Sequence, residues 1–356
     1  MKGRAPMADV YVRLREFLDK LPAGYPSTPT GVELKILQKL FTPEEAELTM
    51  QLRNEPEEVP AIARRIGMDE KQLAQKLEDM AQKGILFRIR SGDKFLYQAF
   101  QFVVGVYEFQ LKRLDKEFCE LFEEYIPYLG ANMMSVPTRQ MRVVPVESAV
   151  GSGKGVASYN QVRELVERQR VFSVQECICR KEQTLLGHGC EYPREICLGF
   201  GDFAQFYIDN HMAKQISKEE CLNLLAQAEA AGLVLSPTNT QNVAAICCCC
   251  SCCCPVLKFA KMAPRPADLV LSYYESKIDP DLCTGCGDCI QRCPMDAIRE
   301  GDQVSEIIEG RCIGCGLCVS VCPVEAISLV AKAGLDAPPK DMTDMMSRIA
   351  AERGVA

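Results

Sequence analysis

The sequence predicts an α+β chain of several domains, and three observations predict it. Helical periodicity fills much of the first 130 residues, interrupted by two alternating segments that read as strands. A middle stretch carries cysteine at a density that no ordinary core requires. A C-terminal stretch then repeats one cysteine pattern twice.

A length of 356 residues accommodates two or three cores. The expected segments are a helix-and-hairpin module over 1–100 and a connecting helix with linker over 101–158. A cysteine-rich central α+β domain follows over 159–262, then the repeat domain over 263–332 and a helical tail over 333–356. Hydrophobic residues make up 47% and charged residues 25%, the balance of a globular protein. A net charge of −7 offers no general attraction to nucleic acid or anionic membrane. No window reaches about 18 uninterrupted apolar residues, so no membrane span is expected. The start, MKGRAPMADVYVRLREF, has neither a long apolar run nor a small-residue cleavage site, so the expected location is cytoplasmic.

The N-terminal elements follow one another closely. ELKILQKLF places Leu34, Ile36, Leu37, Leu40 and Phe41 on one helical face. Thr42-Pro43-Glu44-Glu45 is a helix start, with a capping hydroxyl, proline in the first turn and acids behind it. VPAIARRIG and MDEKQLAQKLEDMAQKG predict two more helices, the second stopped by Gly84. ILFRIRSGDKFLYQAF alternates on either side of Ser91-Gly92-Asp93 and predicts a hairpin. Three helices followed by a hairpin resemble a winged helix-turn-helix domain.

That resemblance implies DNA binding as one function, but the charges disfavour it. The candidate reading helix mixes Lys71, Lys76 and Lys83 with Asp69, Glu70, Glu78 and Asp79. Residues 1–130 hold 19 basic and 21 acidic side chains, whereas a reading surface offers an excess of donors to phosphate. Only Arg64, Arg65, Arg88, Arg90 and Lys94 could form a local basic patch, so a protein-docking module is the favoured reading. Beyond it, 101–130 predicts one long amphipathic helix with Cys119 in its apolar stripe. GSGKG at 151–155 lacks the spacer and the hydroxyl residue of a phosphate loop and is rejected as a nucleotide site.

Cysteine is the anomaly. The chain has 21, and 20 lie between Cys177 and Cys322, leaving only Cys119 outside. Cytoplasmic thiols stay reduced, so such a set argues for metal rather than disulfides. CTGCGDCIQRCP and CIGCGLCVSVCP each read C-x2-C-x2-C-x3-C-P, and zinc favours paired C-x2-C arms instead. Gly285, Gly287, Gly314 and Gly316 allow tight loops whose backbone N–H groups face the sulfurs. Both runs resemble bacterial two-cluster ferredoxins. The resemblance implies two [4Fe–4S] clusters, the first held by Cys283, Cys286, Cys289 and Cys322. The second is held by Cys312, Cys315, Cys318 and Cys293. It also implies one-electron transfer at low potential, with Asp279, Asp281, Asp288 and Asp296 keeping it low.

Two further cysteine sets precede the repeat. Cys177, Cys179, Cys190 and Cys197 lie within 21 residues, near Arg180, Lys181 and Arg194 as counter-charges. They predict a third iron–sulfur centre, with a structural zinc or a metal-free scaffold as alternatives. His188 in that loop and His211 read as exposed-loop and helix residues rather than ligands. The run ICCCCSCCCPV contributes Cys247, Cys248, Cys249, Cys250, Cys252, Cys253 and Cys254. Adjacent side chains diverge in helices and strands alike, so these thiols cannot all meet one cubane. They wrap one cluster with spares, divide between two centres shared with residues 177–197, or hold a larger centre with an open position. Vicinal cysteines resemble those of heterodisulfide reductase catalytic subunits, without that family's long repeated CC-to-C-x-x-C spacing. SPTNTQNV before the run offers polar groups either to sulfur or to loop capping.

Ser217 starts a helix that holds Cys221 in its first turn, a thiol not expected to bind metal. The C-terminal helix groups Met342, Met345, Met346 and Ile349 on one side. The whole layout resembles a family of cysteine-rich iron–sulfur proteins of anaerobic bacteria. The expected function is low-potential electron transfer through two [4Fe–4S] clusters to or from one or two additional cysteine-bound centres. The expected partner is a redox protein, a flavoprotein or another oxidoreductase subunit. A redox-sensing transcription regulator is the alternative, and no catalytic residue is identifiable.

Overall fold

The computed structural model describes residues 7–150 and 157–355. The GSGKG loop lies outside the described residues. The chain divides into two compact units: Met1–Thr138 with Gln205–Ala213 and Met346–Ala356, and Arg139–Ala204 with Lys214–Met345. No described helix is long and apolar enough to cross a membrane.

The first unit begins with α1 (Met7–Asp19), α2 (Val32–Leu40) and α3 (Pro43–Thr49). Thr42 starts α3 through a reciprocal capping box with Glu45, as the local residues require. A two-residue strand, β1 (Glu57–Glu58), leads into α4 (Val59–Ile66) and then α5 (Glu70–Gln82). Gly67 ends α4 in the left-handed conformation, and Asp69 caps α5 through the Gln72 N–H. Strands β2 (Phe87–Ser91) and β3 (Lys94–Gln98) form the expected hairpin, turning at Gly92, with β1 on the far side of β3. Helix α5 buries Leu73, Leu77, Met80 and Ala81 and turns its charges outward.

One expectation fails here. Residues 101–115 are not helical throughout; they make two short turns, Phe102–Val106 and Glu108–Gln110. The Glu108 carboxylate accepts the Gly105 N–H at 2.6 Å and folds the segment back. The helix α6 (Lys116–Met134) starts only where Asp115 accepts the Phe118 N–H at 2.8 Å. Cys119 is fully buried in α6.

The second unit opens with α7 (Glu147–Val150), α8 (Val162–Glu167), β4 (Phe172–Glu176), α9 (Ile178–Leu185) and β5 (Glu195–Phe200). After α10 (Gly201–Asp209), whose residues from Gln205 on belong to the first unit, come β6 (Lys214–Gln215), α11 (Lys218–Ala231), β7 (Val234–Pro237), β8 (Ala245–Cys249), α12 (Pro255–Met262) and α13 (Pro266–Leu269). His211, just beyond α10, is exposed at φ 55 and not in a helix. Five antiparallel strands pair in the order β6-β4-β5-β8-β7. Capped by Ser217 and ended by Gly232, α11 buries Cys221, Leu225 and Ala228 in the unit's core.

The remainder of this unit is built from β9 (Tyr274–Ile278), α14 (Asp288–Arg292), β10 (Ile298–Glu300), β11 (Ser305–Ile307) and β12 (Ile327–Ala331). Two antiparallel ribbons result, β9 with β12 and β10 with β11. The last helix, α15 (Met342–Arg353), belongs to the first unit from Met346 on and carries buried Met345, Met346 and Ile349. One hydrophobic core runs from the central sheet into the repeat, containing Ile246, Cys248, Leu257, Met295, Ile313, Cys315 and Leu317. Arg311 fastens the two parts, donating to the carbonyls of Lys261 and Ala263 on one side and Met295 on the other.

Candidate metal centres

In the repeat, the second loop is the buried one. Cys312, Cys315 and Cys318 line a small apolar cavity, partly open to solvent, and Cys293 from the first run lines the same cavity. Ser276 in β9 supplies two contacts to it: its N–H donates to Cys312 Sγ at 3.3 Å, and its hydroxyl lies 3.2 Å from Cys318 Sγ. Met295, Ile298 and Ile313 close the apolar walls. Burial raises the thiols of Cys293 and Cys315 and pushes that of Cys318 up to about 12. Neutral at pH 7, these thiols become ligands only when metal displaces their protons.

The two runs mirror each other. Ala297 N–H donates to Cys293 Sγ and Ala326 N–H to Cys322 Sγ, each at 3.2 Å. Asp296 and Glu325, one residue earlier, share a left-handed backbone, φ 50 and 53. Such N–H groups aimed at sulfur are what a bound cluster requires. Gly314 admits no side chain, since a Cβ there would meet the Tyr274 carbonyl oxygen and Ser272 Oγ. By contrast the first loop faces outward: Cys286 is exposed, as are Leu282, Asp279, Asp281 and Asp288. Cys289, Cys293, Cys318 and Cys322 pack around the buried Ile298 and Ile327 between the loops.

In the central sheet, strand alternation divides the seven-cysteine run. Ile246 and Cys248 point into the core, so Cys247 and Cys249 occupy the opposite face of β8. Leu198 pairs with Ile246, which sends Cys197 of β5 to that same opposite face. There the thiols join in sequence. Cys177 accepts from Cys179 and Cys197, which hold it well below the usual thiol range against the opposing effect of burial. Cys247 accepts from Cys197 and Cys249 and falls to about 6, while Cys254 donates to Cys249. Cys179, at the other end of this chain of six thiols, is raised by its bond to Cys177 and by burial.

Two of the six begin helices. Cys177 is the N-terminal cap of α9, where the helix dipole favours its thiolate, and Cys254 is that of α12, where the bond to Cys249 and burial keep it a thiol. Arg180, 1% exposed, stands beside them and donates to the carbonyls of Pro193 and Cys248 at 2.7 and 2.8 Å. Burial opposes its charge, but the sulfurs of Cys177, Cys250 and Cys197 hold it above its ordinary value. Its Nε, also buried, has no partner. Lys181 and Arg194, the other expected counter-charges, are turned to Glu176, at 3.0 and 3.8 Å.

Cys190 keeps different company from Cys177, Cys179 and Cys197. Its sulfur, with those of Cys250, Cys252 and Cys253, forms a group whose members all lie within 4.8 Å of one another. The expected set of residues 177–197 is therefore divided between two thiol groups, one on a face of β8 and one at the turn after it. Cys248 joins neither; burial pushes its thiol up, and pushes the core thiol of Cys221 up to about 12. His188 is exposed and belongs to no thiol group. The polar residues before β8 organise their own turn: Thr238 Oγ1 accepts the Ala244 N–H, and buried Arg142 donates to the carbonyls of Thr238 and Thr240. Spacing alone held no sign of Ser276.

Residues 276–329 match the 4Fe-4S dicluster domain family, which makes the C-terminal part of the second unit ferredoxin-like and iron–sulfur binding. No curated protein matches the chain, and no solved structure does.

Proposed function

We propose that the chain is an iron–sulfur electron-transfer protein in which two [4Fe–4S] clusters connect a surface entry point to a central thiolate centre. Cys283, Cys286, Cys289 and Cys322 would hold the outer cluster, and Cys293, Cys312, Cys315 and Cys318 the inner one. Cys177, Cys179, Cys197, Cys247, Cys249 and Cys254 would hold a further iron–sulfur centre. When bound, each cluster supplies one-electron exchange without bond making, at around −400 mV for a low-potential ferredoxin site.

The observation that carries this reading is the continuity of one hydrophobic core around the inner loop and the central run: Cys315 and Cys250, Cys253 and Cys254 are all buried in it, with Cys293 and Cys312 packed against it. A dry, packed medium keeps a transferred electron from the solvent and fixes the distance between donor and acceptor. The exposed outer loop, ringed by Asp279, Asp281 and Asp288, suits a redox partner with a basic face, a flavoprotein or an oxidoreductase subunit. The chain works in the cytoplasm on this reading.

The helix-and-hairpin part of the first unit has the order of a winged helix module, and docking is its role here. Four of the five residues of the expected basic patch are engaged, Arg64 being exposed. Arg88 is buried against Glu78 and bonds Asn210, Arg90 pairs with Asp209 at 3.0 Å, and Arg65 with Glu57 at 2.5 Å. Lys94 holds Glu58 at 3.0 Å. Phosphate would have to displace these carboxylates, which disfavours a DNA-reading regulator. The test is a dithionite titration of the anaerobic full chain followed by EPR. Two interacting S = 1/2 signals developing near −400 mV are expected; a reduced protein without a cluster signal would end the proposal.

A further inference from the structure

The quartet Cys190, Cys250, Cys252 and Cys253 has a geometry of its own. Cys253 Sγ lies 3.5 Å from Cys190 Sγ and 3.8 Å from Cys252 Sγ, and all four sulfurs are within 4.8 Å of one another. A single ion bound tetrahedrally at about 2.3 Å from sulfur sets its ligands roughly 3.8 Å apart. A cubane spreads its thiolates farther, because each binds a different corner iron. The chain holds its own control: among the described residues, no three of the eight cysteines in the ferredoxin-like repeat come within 4.8 Å of one another.

Local backbone explains how neighbouring residues converge. Ser251, Cys252 and Cys253 lie in a turn after β8, free of the alternation that separates Cys247 from Cys248. Cys190 approaches from the loop after α9, where the Tyr192 N–H bonds its sulfur. The group is stratified: Cys250 and Cys253 are buried while Cys252 is exposed. Four thiolates on a divalent ion leave a net charge of −2, and the Arg180 guanidinium beside Cys250 offsets part of it.

We infer that Cys190, Cys250, Cys252 and Cys253 bind one tetrahedral divalent ion of the zinc–iron class, separate from every iron–sulfur cluster of the chain. With four protein ligands the site is closed, so the ion has no open position for substrate. It clamps the loop after α9 to the turn before α12, and so fixes the Cys254 end of the six-thiol chain. If the ion is iron, the site also exchanges one electron. The inference does not depend on the electron-transfer reading, since a zinc clamp would be present whether or not the clusters carry current.

Inorganic sulfide gives the test, because a cluster contains it and a single-ion site does not. The full chain, Cys190→Ala and Cys252→Ala are purified without oxygen, and zinc, iron and acid-labile sulfide are counted per chain. Each variant is expected to lose about one metal ion with sulfide unchanged. The wild type needs no variant to fold: a zinc edge spectrum with four sulfurs at about 2.3 Å supports a zinc site. A Mössbauer component from one high-spin iron outside the clusters supports an iron site. Loss of about four irons together with about four sulfides would place a cubane there and overturn the inference. A wild type with neither zinc nor a non-cluster iron would overturn it too.

Discussion

Two regions of one unit use cysteine in opposite ways. In the ferredoxin-like repeat, three cysteines of each run lie on one short loop, so their spacing is the candidate site. In the central region the grouped cysteines come from β5, β8, two helix starts and a turn, and spacing along the chain says little about which sulfurs meet. The difference teaches where a metal motif is readable: loop geometry is carried by neighbours in sequence, whereas a site assembled across a sheet depends on register. Leu198 opposite Ile246 is the contact that puts Cys197 and Cys247 together, and no local pattern announces it.

The comparison breaks most visibly at Gly314. It sits at φ 64 with no room for a Cβ, so Gly314→Ala must distort the inner loop. Loss of about four irons and four sulfides per chain is expected, with the central cysteines unaffected. A variant that keeps full iron content would mean the loop does not shape the cluster. In the central region the corresponding test is Arg180→Met, which removes the buried counter-charge shared by Cys177, Cys197 and Cys250. A loss of roughly 3–5 kcal/mol in unfolding free energy is expected. Central metal should also fall while the ferredoxin-like signals persist, and urea unfolding with metal analysis measures both.

Smaller effects sharpen the contrast. Ser276→Ala removes a hydroxyl from Cys318 Sγ but keeps the N–H on Cys312 Sγ. A lost hydrogen bond of about 1 kcal/mol to a cluster sulfur lowers a one-electron potential by roughly 40 mV. The inner cluster alone should shift in a potentiometric EPR titration. The smallest effect is expected at Cys248, whose side chain belongs to the core rather than to a thiol group. Cys248→Ala should keep every metal ion and cost about 1 kcal/mol. Metal loss from it would show that the run is a ligand cluster without regard to strand face.

Much of the fold was legible where local chemistry decides it. The Thr42 and Ser217 helix starts, the helix end just before Gly84 and the turn at Gly92 each form from residues within a few positions. The segment 101–115 was misread because its apolar period fits a helix, while the Glu108 carboxylate and the Asp115 cap impose turns that periodicity does not register. At the candidate sites, the ferredoxin-like repeat was readable by spacing, and the division of the whole run was readable from alternation. The partition itself was not. Cys190 leaves Cys177, Cys179 and Cys197 for Cys250, Cys252 and Cys253 only because a loop after α9 meets a turn after β8. Ser276 likewise becomes visible only once β9 lies against the inner loop.

The most direct test of the account is the iron and acid-labile sulfide content of the full chain, purified and analysed without oxygen. Two ferredoxin-like clusters alone contribute about eight of each. The account predicts clearly more than eight irons and more than eight sulfides, the excess lost in Cys177→Ala and Cys247→Ala and retained in Cys248→Ala. A content of about eight irons with eight sulfides, unchanged by Cys177→Ala, would contradict it by confining every cluster to the C-terminal repeat.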